Sequence, residues 1–194
     1  MDKKASQVAL GVLDKLFSSE DVKVVAGINE VTLQNWLARG SLKLAQQNPG
    51  RGNPRQYTLY EVARIRFLKR FADLGLPLKP AFKITAALKK LWEASPGGHE
   101  GYGRERNLVS WILIARSELW SGRITIGTFP LHHSPVEADG YVAIWATEII
   151  GHAKCNLRAA IDFFDGGPLI VVNMGVLLDQ TVSLLERRLK EKDG

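Results

Sequence analysis

The sequence predicts an α+β protein in two parts: an N-terminal, mostly helical unit with a small β wing, then a small α+β C-terminal body ending in a long helix. Three observations predict it. The front reads as two short helical patterns parted by a glycine, then a basic hairpin and a longer basic helix. The rear holds apolar, β-forming runs at 108–115, 123–129, 141–147 and 169–173. Charge divides at the same place. Residues 1–93 carry 16 Lys and Arg against 8 Asp and Glu, a net +8, whereas 94–194 carry 10 against 12, a net −2. The domains expected are 1–94, a glycine-dense linker at 95–107, and 108–194.

The first helix starts at Ser18 or Ser19, a capping hydroxyl followed by Glu20 and Asp21 in the first turn, where acids complement the helix dipole. Val22, Val25 and Ala26 are its apolar set, and Gly27 can take the turn that would strain a side chain. Asn29 caps a second helix, from Glu30 to about Arg39, with Leu33, Trp36 and Leu37 on its core face and Gly40 closing it. Helix, glycine turn, helix is the helix-turn-helix pattern, whose second helix enters a DNA major groove. A tip rich in Pro and Gly (48–54) follows, flanked by expected strands at 42–44 and 56–59. Then comes a helix carrying Arg64, Arg66, Lys69 and Arg70, and another over 79–93.

The segment is similar to the DNA-binding domain of MerR-family regulators and their excisionase-like relatives, over about residues 18–92. The resemblance rests on Gly27, Asn29, Thr32, Trp36, Gly40 and Leu42, then on Arg55, Gln56, Tyr57 and Thr58 leading into a helix with Glu61 and Val62. It implies a winged helix-turn-helix that binds double-stranded DNA. Where family members commonly place Arg and Tyr on the recognition helix, this chain has Val31, Gln34 and Asn35. The family's long dimerising helix does not follow directly, so dimerisation is expected from the rear.

The residue types suggest a division of labour. Gln34 and Asn35 donate and accept at once, which suits adenine edges; Glu30 and Thr32 suit cytosine amino groups, thymine methyls or phosphate. Arg39, at the helix end, suits phosphate. Lys43, Arg51 and Arg55 on the hairpin, with Tyr57 and Arg64 beyond it, complete the expected DNA-binding set. Between Arg39 and Arg70 eight cations face a single acid, Glu61, a balance that favours a polyanion.

In the rear, 175–192 is a helix with Leu178, Val182, Leu185 and Leu189 at coiled-coil spacing. This seam either packs on the sheet or pairs two chains into a homodimer. The segment 147–164 is open between helix and strand. Trp111, Trp120, Tyr141, Trp145, Phe163 and Phe164 suit an apolar core or the lining of an effector pocket. His152 and Cys155 have a spacing that can share a metal, but one cysteine is too few for a soft-metal site, so no metal or cofactor is expected. No phosphate-binding loop or nucleophile elbow occurs, and an enzyme is not expected. The lone cysteine and the absence of an apolar spanning run or leader point to the cytoplasm, and a regulator would be associated with the bacterial nucleoid. The expected function is a homodimeric transcription regulator on a pseudo-palindromic site, with a possible small-molecule effector. An architectural DNA-bending protein, or a rear domain of enzymatic or interaction role delivered to DNA, are the alternatives.

Overall fold

The computed structural model describes residues 12, 14–39, 42, 44, 50, 52–94, 108–116, 136–149 and 169–193. Among these the order is β1 (Phe17–Ser18), α1 (Ser19–Ala26), α2 (Glu30–Ala38), β2 (Gln56–Tyr57), α3 (Leu59–Asp73), α4 (Leu78–Ala94), β3 (Leu108–Arg116), β4 (Val136–Ala138), β5 (Tyr141–Ile149), β6 (Leu169–Asn173) and α5 (Met174–Asp193). The fold is α+β, with the helices gathered in front and a four-stranded sheet behind.

Local signals set the front helices. Ser18 caps α1 through a reciprocal pair: its hydroxyl accepts from the Asp21 amide, and the Asp21 carboxylate accepts from the Ser18 amide at 2.9 Å. Gly27 ends the helix at φ 65°, the left-handed conformation that glycine adopts without a Cβ penalty. Asn29 caps α2 by accepting from the Thr32 amide at 2.8 Å, and Thr58 with Glu61 repeats the reciprocal cap on α3. Trp36 meets Phe82 of α4 edge to face, with ring centroids 5.9 Å apart, so the second helix is pinned to the fourth.

The strand expected at 42–44 does not pair with 56–59. Instead Gln56–Tyr57 pairs antiparallel with Phe17–Ser18, Phe17 opposite Tyr57. This two-residue ladder closes the front of the domain on itself, and Leu42 and Leu44 turn inward as core residues outside any strand.

The rear sheet is antiparallel throughout, in the order β4-β5-β3-β6. Strand β3 lies at its centre, Ile112 opposite Trp145 on one side and Val172 on the other. The β4–β5 hairpin turns at Asp139 (φ 48°) and Gly140 (φ 78°), both left-handed, as a two-residue turn of matching twist requires. Within 147–164 the first three residues extend β5 to Ile149. The rest of that segment, the expected strand at 123–129 and the linker at 95–107 lie outside the described residues.

Helix α5 packs against β3 and also against α1 and α3, so buried residues of front and rear form one continuous apolar cluster. Its buried stripe is Met174, Leu178, Thr181 and Leu185. Of the expected seam, Leu178 and Leu185 are buried inside their own chain, the packing alternative, while Val182 and Leu189 sit half-buried on its flank. The stripe continues as charge. Lys192 donates to Asp21 at 2.6 Å, and Arg188 lies 3.5 Å from the same carboxylate, which is 2% exposed. At two other points the halves meet through polar groups: Arg66 donates to Gln180 at 3.1 Å, and Lys79 and Lys83 both reach Asp139.

Candidate nucleic-acid interface

The core face of α2 is Leu33, Trp36 and Leu37, all buried. Helical periodicity then turns Val31, Gln34, Asn35 and Ala38 outward on one face, and all four are exposed. A rigidly held helix thus presents two amide side chains around a small apolar patch. Val31, 68% exposed, stands beside them and can meet a thymine methyl group. It was absent from the DNA-binding set read from sequence. The signal was available in the spacing, because the three core positions leave 31 on the opposite side.

Glu30, at the start of the same helix, is tied to its neighbours. Gln34 Nε2 donates to its Oε1 at 2.7 Å, and Lys23 Nζ of α1 lies 3.2 Å from its Oε2. The Gln34 hydrogen bond, then the Lys23 one, hold the Glu30 carboxyl below the usual carboxylate range; the positive field of Arg55 adds to this. Arg55 precedes β2 and lies close enough to the start of α2 for its charge to act on Glu30. Thr32 is half-buried, and Arg39 is exposed at the C-terminal end of the helix.

Two residues expected at the DNA are placed elsewhere. Tyr57 is fully buried, its ring in the core opposite Phe17 and its hydroxyl 3.4 Å from Ser19 Oγ, so it holds β2 to the start of α1. Arg64 is 8% exposed, and burial lowers its pKa, against the fields of Tyr60 and Glu61. Arg64 and Lys69 are five residues apart, a rotation of about 140° on an α-helix. The basic run of α3 is therefore two groups, with Arg64 inside and Arg66, Lys69 and Arg70 along an open groove of about 410 Å³ beside α5. Lys43 and Arg51 lie outside the described residues, as do His152 and Cys155. Among the described residues no group of three His, Cys, Asp or Glu side chains is placed to hold a metal, and no helix is long and apolar enough to cross a membrane.

A capped helix, a left-handed glycine turn and a second helix with an outward polar face define a helix-turn-helix DNA-binding domain. Residues 17–88 match the family model described as MerR HTH family regulatory protein, so this segment is similar to the helix-turn-helix domain of that family. The front of the chain thus carries a helix-turn-helix DNA-binding domain of the kind found in transcription regulators. No curated protein matches the chain.

Proposed function

We propose that the chain is a sequence-specific regulator of transcription that binds double-stranded DNA as a homodimer on a pseudo-palindromic site. The observation that carries this reading is the exposed face of α2, where Gln34 and Asn35 stand on a helix fixed by Leu33, Trp36 and Leu37. Such amides read base edges, whereas Arg39 and Arg55 supply phosphate attraction, which is most of the affinity but carries no sequence information. One short helix reads few base pairs. Two copies related by a twofold axis would place their helices in successive major grooves, one helical turn apart. For pairing, the half-buried flank of α5 at Val182 and Leu189 keeps surface for a partner, unlike Leu178 and Leu185. The reading includes a small-molecule effector, for which the groove between α3 and α5 is a place touching front and rear at once.

The test is selection of genomic DNA fragments by the purified full chain at two salt concentrations, with the mass of the complex measured by sedimentation. An inverted-repeat motif that survives the higher salt, bound by two chains, is the expected result. Motif-free enrichment that vanishes with salt would overturn sequence-specific regulation in favour of an architectural role.

A further inference from the structure

Gln34 does not stand free on the DNA-facing side of α2. One of its two amide hydrogens goes to Glu30 Oε1 at 2.7 Å, one helical turn earlier. Glu30 is steadied in turn by Lys23, whose ammonium lies 3.2 Å from Oε2 and also pairs with Glu20 at 2.6 Å. The chain Glu20–Lys23–Glu30–Gln34 runs from the first helix of the motif onto the reading face of the second.

The chemistry of the amide gives this chain a consequence. A free glutamine can offer both hydrogens to the two acceptors of guanine, O6 and N7, or can pair its oxygen and one hydrogen with the N6 donor and N7 acceptor of adenine. With one hydrogen committed to Glu30, the two-hydrogen mode is lost. An amide that turns its outer hydrogen to Glu30 keeps the one beside Oε1, and that hydrogen with Oε1 forms the donor–acceptor edge that adenine complements. The Glu30 carboxylate also places negative charge beside the amide, unfavourable to the acceptor-only edge of guanine and neutral to adenine's mixed edge.

Resting on the DNA-binding reading above, we propose that Glu30 is a positioning residue, braced by Lys23, that locks the Gln34 amide into the mode that reads adenine and excludes guanine. Glu30 then acts through Gln34 and makes no base contact of its own.

The experiment uses the full chain and duplexes of its selected site, with each A·T pair replaced in turn by G·C. Gln34→Ala identifies the base pair that Gln34 reads, as the position where the variant no longer distinguishes the two. At that position the wild type is expected to prefer adenine by about tenfold or more. Glu30→Ala is expected to bring the preference to within about twofold while other positions keep theirs. Glu30→Gln keeps an acceptor oxygen at the same place and is expected to restore most of the preference. An unchanged preference in Glu30→Ala, uniform weakening at every position, or a Glu30→Gln variant as impaired as Glu30→Ala would each overturn the positioning role while leaving DNA reading intact. If Gln34→Ala alters no position, Gln34 reads no base and the inference fails with it. A wild-type protein that binds no duplex would overturn the proposed function itself.

Discussion

Replacing Asp21 with alanine is expected to destabilise the protein by about 2–3 kcal/mol and to loosen the C-terminal helix from the front. Asp21 is 2% exposed and serves two structures at once. It completes the cap of α1 with Ser18, a contribution of about 1 kcal/mol. It also receives the Lys192 ammonium at 2.6 Å. A hydrogen bond between charged partners contributes about 1.5–3 kcal/mol. The lower end applies because the Lys192 side chain is 48% exposed and recovers water when released. Denaturant unfolding of Asp21→Ala, Lys192→Met and the double variant separates the two parts, with an expected coupling of about 1.5 kcal/mol. A coupling below about 0.3 kcal/mol would refute the claim that this contact ties α5 to α1. The pH dependence has a definite sign. Burial works to raise the Asp21 carboxyl, but hydrogen bonds from Lys192 and Ser18 outweigh it and hold it below its ordinary value. The stabilisation is therefore fully present above the unfolded carboxylate range, about pH 4, and is lost as pH falls through the lower folded value. Lys192→Met should accordingly flatten the acid limb of the stability curve and leave the neutral limb's slope unchanged.

Asn35→Ala is expected to weaken binding to the selected site by about 1–3 kcal/mol and leave random DNA nearly unaffected; equal losses on both, in a titration, would remove Asn35 as a base reader. Arg55→Ala should lower the salt slope of log K by about one unit, and an unchanged slope would take Arg55 off the phosphates. Leu185→Glu places a charge at a fully buried position of α5 and should lower the melting temperature sharply. An unchanged melting temperature with a change from dimer to monomer in sedimentation would instead put that face at a partner. Trp36→Ala should cost about 3–5 kcal/mol through the lost contact with Phe82 and the core, read by chemical denaturation.

Much of the front was legible because its signals are local. The Ser18, Asn29 and Thr58 caps, Gly27 at the turn, and the Leu33–Trp36–Leu37 spacing each act within one or two helical turns, and each appears as the sequence implies. The β4–β5 hairpin was also written locally, in Asp139-Gly140 between Val136–Ala138 and the run from Tyr141, but the short first strand gave too little alternation to be picked out. Tyr57 and Arg64 misled because residue type speaks for a partner without fixing a direction. A tyrosine beside a basic tip and an arginine in a basic helix look like DNA contacts until packing turns them inward.

The sequence by itself determined where the helices of the DNA-binding motif start and stop, which face of α2 is apolar, and that the front half is basic. Backbone capping and helical period depend on neighbours a few residues away, so they can be read in one dimension. Only the tertiary structure decided that β2 pairs with β1 and that the stripe of α5 is used inside the chain. It also joined Lys192 to Asp21, 171 residues apart. Those outcomes depend on which apolar faces meet across the fold. A helix with leucines at regular spacing is equally suited to a sheet or a second copy until the volume beside it is filled.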